Sequence, residues 1–188
     1  MVDLDKNEKK SNQKIKQLLA DLNSGSSTKI SAALKSLQVN GDVSIIRTLV
    51  ELLKSELSHQ TEAEILVFLG DLKATNSKEE IMSILKDESF LLQRQKVLST
   101  IWNCTIDYSE YIAEFVELAC EGNFMEALEC LTILENLEGP FQESHIFECQ
   151  LHLKEYSENN SEKDPQKAQM MSEIAILVRS FDLNTDED

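Results

Sequence analysis

His145, Cys149 and His152 step by four and three along the chain, a spacing that sets three metal-binding side chains on one face of a helix. Three such groups hold a cation only if a neighbouring helix supplies a fourth, for instance Cys130 or a glutamate. Against that chemistry, Cys149 continues an apolar column with Ile146 and Leu153 and no zinc-ligand spacing is matched, so the histidines read as flanking a buried thiol. His145 and His152 are also the candidate general bases, yet no Ser, Cys or Asp beside them completes a triad in sequence. His59 sits at a helix turn and reads as a surface residue. The four cysteines, Cys104, Cys120, Cys130 and Cys149, are unevenly spaced with no Cys-x-x-Cys, as expected of reduced structural thiols. All four lie in an interval without the Lys or Arg that would favour a reactive thiolate. Five glycines form no phosphate-cradling loop, and 34 acidic residues permit many carboxylate pairs while selecting none. No catalytic, cofactor-binding or metal-binding residue is therefore assigned.

The strongest pattern is one of charge. Between Lys96 and Lys154 there is no Lys or Arg, while Asp107 and ten glutamates fall in that interval. On a helix expected over 108–121, Tyr111, Ile112, Phe115, Val116 and Ala119 form the apolar face, and Glu110, Glu114, Glu117 and Glu121 line up as a stripe. Like charges at these spacings cost a helix a few tenths of a kcal/mol per pair, about the scale of an ion pair of opposite sign. Stability alone does not select such a stripe. Two readings follow, a solvated face in an acidic protein and a docking surface for a basic partner.

The whole chain agrees with the second reading in sign. Its 188 residues, with 18 basic and 34 acidic side chains, give a net charge of -16 and the size of one domain. That charge argues against nucleic acid or an anionic membrane as ligand, since both are bound through clustered Lys and Arg. No apolar run reaches the roughly 20 residues of a membrane helix, and the charged stretch Met1 to Leu22 has no signal-peptide character, so a cytoplasmic protein is expected.

Apolar residues recur with helical spacing nearly throughout, and strand-type alternation is not sustained anywhere. The spacing predicts helices near 10–22, 28–40, 43–57, 61–74, 78–87, 90–105, 108–121, 124–138, 141–156 and 165–181. Helix starts are expected at Thr61 with Glu64, Ser77 with Glu80, Asp107 with Glu110, Asn123 with Glu126, and Asp164 before Pro165. Gly41, Gly122 and Gly139 are expected to end helices in the left-handed conformation, while Gly70 falls inside a helix and implies close packing. Trp102 falls on the core face of its helix with Val97, Leu98 and Ile101.

A period of 32 residues runs through this pattern. Leu34, Leu66 and Leu98 share a register, as do Leu37, Leu69 and Ile101. In the following helices Leu49, Ile81 and Ile112 align, then Leu52, Ile84 and Phe115, then Leu53, Leu85 and Val116. A fourth pair continues the columns with Leu131, Leu134, Ile146 and Cys149, but Gln150 stands where an apolar residue is expected.

The segment Ala33-Leu34-Lys35-Ser36-Leu37, then Asn40-Gly41-Asp42, then Ile45-Ile46-Arg47-Thr48-Leu49-Val50-Glu51-Leu52-Leu53 resembles a bacterial HEAT-like repeat. The likeness is best over 33–53 and extends over about 25–138. Val43 replaces the family's proline, and the second and third units lack both the Gly-Asp turn and the later Arg, so stacking is expected to rest on apolar columns. The resemblance implies an all-α fold, an α-solenoid of antiparallel helix pairs, with a surface that binds another protein. One domain over 1–183 is expected, with capping helices in 1–24 and 157–183 and a disordered acidic tail at 184–188. Five lysines make residues 1–20 net positive. The expected function is a non-enzymatic scaffold or adaptor whose partner has a basic or mixed surface. The alternatives are an enzyme or metal-dependent protein using the His145, Cys149 and His152 helix, and an acidic mimic of nucleic acid.

Overall fold

The structure is a computed structural model and describes residues 16–22, 24–40, 43–159 and 164–183. Among these residues every regular element is helical. They are α1 (16–22), α2 (Ser27–Asn40), α3 (Ser44–Leu52), α4 (His59–Gly70), α5 (Ser77–Lys86), α6 (Arg94–Leu98), α7 (Ile112–Glu121), α8 (Phe124–Asn136), α9 (Glu143–Asn159) and α10 (Pro165–Leu183). Short 3-10 turns, Glu88–Phe90 and Ser109–Tyr111, precede α6 and α7. The lysine-rich start, Gly41 and Asp42, and the acidic end 184–188 lie outside the described residues.

Packing gathers the chain into two units, Met1–Gln93 and Arg94–Asp188. In the first, α2 lies against α4 and α3 against α5, so each helix of one pair meets its counterpart in the next. The register seen in sequence is the reason. Leu34, Leu37, Leu49, Leu53, Leu69, Ile81, Ile84 and Leu85 are all buried, and only Leu52 and Leu66 of these columns are partly exposed. Full burial of each such side chain contributes about 1.5–3 kcal/mol.

A polar link that the apolar columns did not foreshadow joins the same pairs. Arg47 on α3 donates from Nε to Glu80 (2.8 Å), from Nη1 to Asp87 (2.9 Å) and from Nη2 to Ser83 (3.2 Å), all on or just after α5. Its guanidinium stands 5.4 Å from the Phe90 ring centroid, with Lys54 Nζ 3.8 Å from the same centroid. Hydrogen bonds from Ser89, then from Arg47, hold the Asp87 carboxyl down at about 2. A depressed carboxyl stabilises the fold above its ordinary range, and that contribution is lost as pH falls through the folded value. Urea midpoints of Asp87→Asn are therefore expected to fall less steeply than those of the parent between about pH 4 and pH 2. Equal slopes would show that the Ser89 and Arg47 contacts do not act on Asp87 in solution.

The second unit repeats the arrangement. There α6 lies against α8 and α7 against both α8 and α9, while α10 packs on α8 and α9. Phe115 and Val116 are fully buried on α7, as are Leu134 on α8 and Cys149 on α9, and Ile174 is fully buried on α10. Gln150 is exposed, so the break in its column falls on a solvent-facing position of α9.

Several boundaries depart from expectation for local reasons. Ser58, not Thr61, caps α4, since the Ser58 side chain accepts from Thr61 N at 3.1 Å. Helix α5 has Asn76 before it with no side-chain cap, and Ser77 is buried instead. The Asn123 and Glu126 capping box forms in full, and Asp164 accepts from Gln166 N (2.9 Å) at the start of α10. Gly122 ends α7 in an extended conformation, not a left-handed one. A Cβ there would stand 2.8 Å from both Leu118 O and Glu126 Cβ, so glycine is required for close approach. Gly139 likewise has no positive φ; only Gly25 does among the described glycines (φ 68°). Gly70 is the last residue of α4, not an interior one. The largest difference is α6, which stops at Leu98 instead of reaching 105, leaving 99–106 as turns. Trp102 consequently leaves the core face and is 45% exposed, although Val97, Leu98 and Ile101 remain buried.

Candidate functional site: an acidic face and its cavity

The second unit carries nearly all of the protein's net charge. Its 95 residues hold 6 basic and 20 acidic side chains, against 12 and 14 in the first unit. Helix α7 lies at its centre, with Ile112, Ala113, Phe115, Val116, Leu118 and Ala119 buried, so the apolar face expected from the sequence is present and broader.

The stripe itself is divided. Glu110 is exposed in the 3-10 turn before α7, not on a helix running from 108, and Glu121 is exposed at the helix end. Glu114 and Glu117 are half-buried. Glu114 acts electrostatically on the Cys149 thiol of α9, and Glu117 and Glu121 act on Cys120. Glu114 thus stands near α9, and Glu117 and Glu121 stand along the edge of α7 that carries Cys120.

A cation missed by local spacing compensates this edge. Lys167 of α10, 7% exposed, donates from Nζ to the Cys120 carbonyl at 2.9 Å, at the C-terminal end of α7. Helix α7 has no basic residue in its last turn, and positive charge is favoured at a helix C-terminus. Lys167 also stands 5.3 Å from the Tyr156 ring centroid. No sequence periodicity connects positions 47 residues apart, so reading along one helix could not find the pair.

The cysteines are free, with Cys130 and Cys149 buried and Cys104 and Cys120 partly so. Burial pushes all four thiols up, Cys120 and Cys149 to about 12, and for Cys120, Cys130 and Cys149 nearby carboxylates add to this. The expected direction holds, but burial is its main cause and the acidic surroundings are secondary. None of the four is a thiolate nucleophile near neutral pH.

On α9, Cys149 is fully buried while His145 and His152 are half-buried. The His145 Nδ1 is buried with no hydrogen-bond partner among the described residues, and the His152 carbonyl accepts from Cys120 Sγ at 3.8 Å. Among the described residues, no three His, Cys, Asp or Glu side chains are gathered as metal ligands, and this trio is not brought together as a set. His59 is exposed at the first position of α4.

Where α6 ends early, a cavity of about 500 Å³ opens between the turns at 101–108 and the end of α8. Trp102, Asp107, Tyr108, Asn136 and Glu138 line it together with Cys104, Thr105 and apolar side chains, and among the described residues no Lys or Arg does. Asp107 accepts from Ser109 N (2.9 Å) and from the Ser109 hydroxyl, which also contacts the Glu138 carbonyl at 3.1 Å. Ser109 adjoins Glu110, so the cavity rim and the start of the stripe are contiguous in the chain. A second, shallower cavity of about 320 Å³ lies between α9 and α10, lined by Leu153, Tyr156, Met171 and small residues. Among the described residues no helix is long and apolar enough to cross a membrane. Comparison with family models, with curated proteins and with solved structures found no match to this chain.

Proposed function

We propose that the protein is a non-enzymatic docking protein whose acidic second unit holds a basic protein partner, and that its helix pairs form a HEAT-like solenoid. The observation that carries the reading is the segregation of charge: 20 acidic and 6 basic residues in 94–188, with no cation between Lys96 and Lys154. An uninterrupted field of one sign steers an oppositely charged partner and accelerates its association. The in-register packing of α2 on α4, α3 on α5, α6 on α8 and α7 on α9 supports the repeat reading, because stacked pairs offer an extended surface in place of a pocket. Four free cysteines are in keeping with action in the reducing cytoplasm.

Affinity capture at low and high salt, using the parent and a variant with Glu110, Glu114, Glu117 and Glu121 changed to Gln, tests the docking role. A basic protein retained by the parent, released by salt and lost by the variant is the expected outcome. Equal capture by both proteins would remove the stripe from any binding role and overturn the reading.

A further inference from the structure

The cavity between 101–108 and the end of α8 has the chemistry of a cation receptor. Its volume, about 500 Å³, lies within the ordinary range for small-molecule and side-chain sites. Two aromatic residues, Trp102 and Tyr108, stand in its wall with the acidic residues Asp107 and Glu138, and among the described residues no Lys or Arg does. Aromatic surfaces attract ammonium and guanidinium groups through the ring quadrupole, Trp most strongly. A third contribution is independent of these side chains. The cavity takes in Ile133, Asn136 and Leu137 at the C-terminal end of α8, the negative end of a 13-residue helix with no basic residue in its last turn.

The pairing of Trp102 and Tyr108 with Asp107 and Glu138 in one cavity points to a cationic ligand. Tyr108 is only 2% exposed and it lines the cavity. Its ring is held by Tyr111 and Phe115, with centroids 6.2 and 6.1 Å away. Burial raises its pKa, so the phenol stays neutral and its oxygen can accept from an N–H. Its oxygen is open to an N–H donor placed in the cavity.

We propose that this cavity receives the side chain of an arginine or lysine that a basic protein partner inserts beside the acidic stripe. The proposal rests on the docking reading above and names the anchor of that same partner. Asp107 and Glu138 supply the counter-charge, and Trp102 and Tyr108 the aromatic surface, with the Tyr108 oxygen as a further acceptor.

Trp102 is the chain's single tryptophan, so its fluorescence reports on the cavity wall. The full chain is titrated with Nα-acetyl-arginine methylamide and Nα-acetyl-lysine methylamide. Nα-acetyl-citrulline methylamide serves as a neutral match to the arginine probe. Saturable emission changes with both cations, at least tenfold weaker with citrulline, are expected. Asp107→Asn combined with Glu138→Gln is expected to weaken cation binding at least tenfold, with an unchanged far-ultraviolet spectrum and Tm. Equal binding of citrulline, an unchanged titration in the folded double variant, or no saturable change would each overturn the proposal. The stripe variant separates the two readings. If stripe-dependent capture persists while the cation probes fail, the cavity proposal falls and the docking reading stands. If the probes bind but capture ignores the stripe, the docking reading falls.

Discussion

Phe115→Ala is expected to destabilise the protein by about 3–5 kcal/mol, seen as a lower urea midpoint with little change in slope. Phe115 is fully buried at the centre of α7, the helix that packs on both α8 and α9. Its ring meets that of Tyr108 at a centroid distance of 6.1 Å and an interplanar angle of 59°, the tilted geometry that adds to simple burial. Truncation to Ala removes this contact and leaves a void between helices that cannot close without moving α8 or α9. Loss should therefore concentrate in the second unit, read as reduced hydrogen-exchange protection across 112–159. A cost below about 1 kcal/mol would mean that the three helices collapse onto the smaller residue, and that α7 is not the keystone its burial implies. Because Phe115 also supports Tyr108, the same variant should loosen the cavity wall and shift the emission of Trp102.

Long-range periodicity was the most legible part of this sequence. The apolar columns named buried positions in both units, from Leu34 to Val116 with Leu52 and Leu66 excepted, because a packed helix face must repeat with the helix. Capping was readable where the side chain had no competitor, as at Asn123, and misread where Ser58, three residues earlier, was better placed than Thr61. Residues 99–106 keep the helical spacing without the helix. Val97, Leu98 and Ile101 continue a helical wheel whether or not the backbone stays helical, so periodicity carried α6 past its real end and took Trp102 into the core.

The candidate site was half legible for the same reason. Glu114, Glu117 and Glu121 share one helix and their spacing announced them. The cavity is assembled from two segments roughly thirty residues apart, and nothing in local spacing ties Trp102 and Tyr108 to Asn136 and Glu138. One signal was available. Asp107 and Tyr108 lie at the head of the cation-free interval, where an aromatic residue next to an acid is compatible with cation binding. The apolar column on α9 was legible too, since Cys149 is fully buried between half-buried His145 and His152.

Lys167→Met is expected to cost about 2–3 kcal/mol near neutral pH, far more than the loss of an ordinary surface lysine. Methionine keeps the apolar stem's length, so the change isolates the ammonium group. Without it, the Cys120 carbonyl at the end of α7 loses its 2.9 Å donor. Glu117 and Glu121, which sit close enough to act on Cys120, then face one another and the negative helix end with less compensation. Their effect can be separated by a double-mutant cycle. Changing Glu117 and Glu121 to Gln should recover part of the cost of Lys167→Met, because the uncompensated charge is removed along with its partner. Strict additivity would show that Lys167 serves the carbonyl alone. Salt gives a second discriminator. The Lys167 contact is almost wholly buried and should change little between low and high ionic strength, while capture of a basic partner by exposed Glu110 and Glu121 should weaken steeply. One acidic helix would then show both regimes, with a buried cation that holds the edge of α7 in the fold and exposed carboxylates left for a partner.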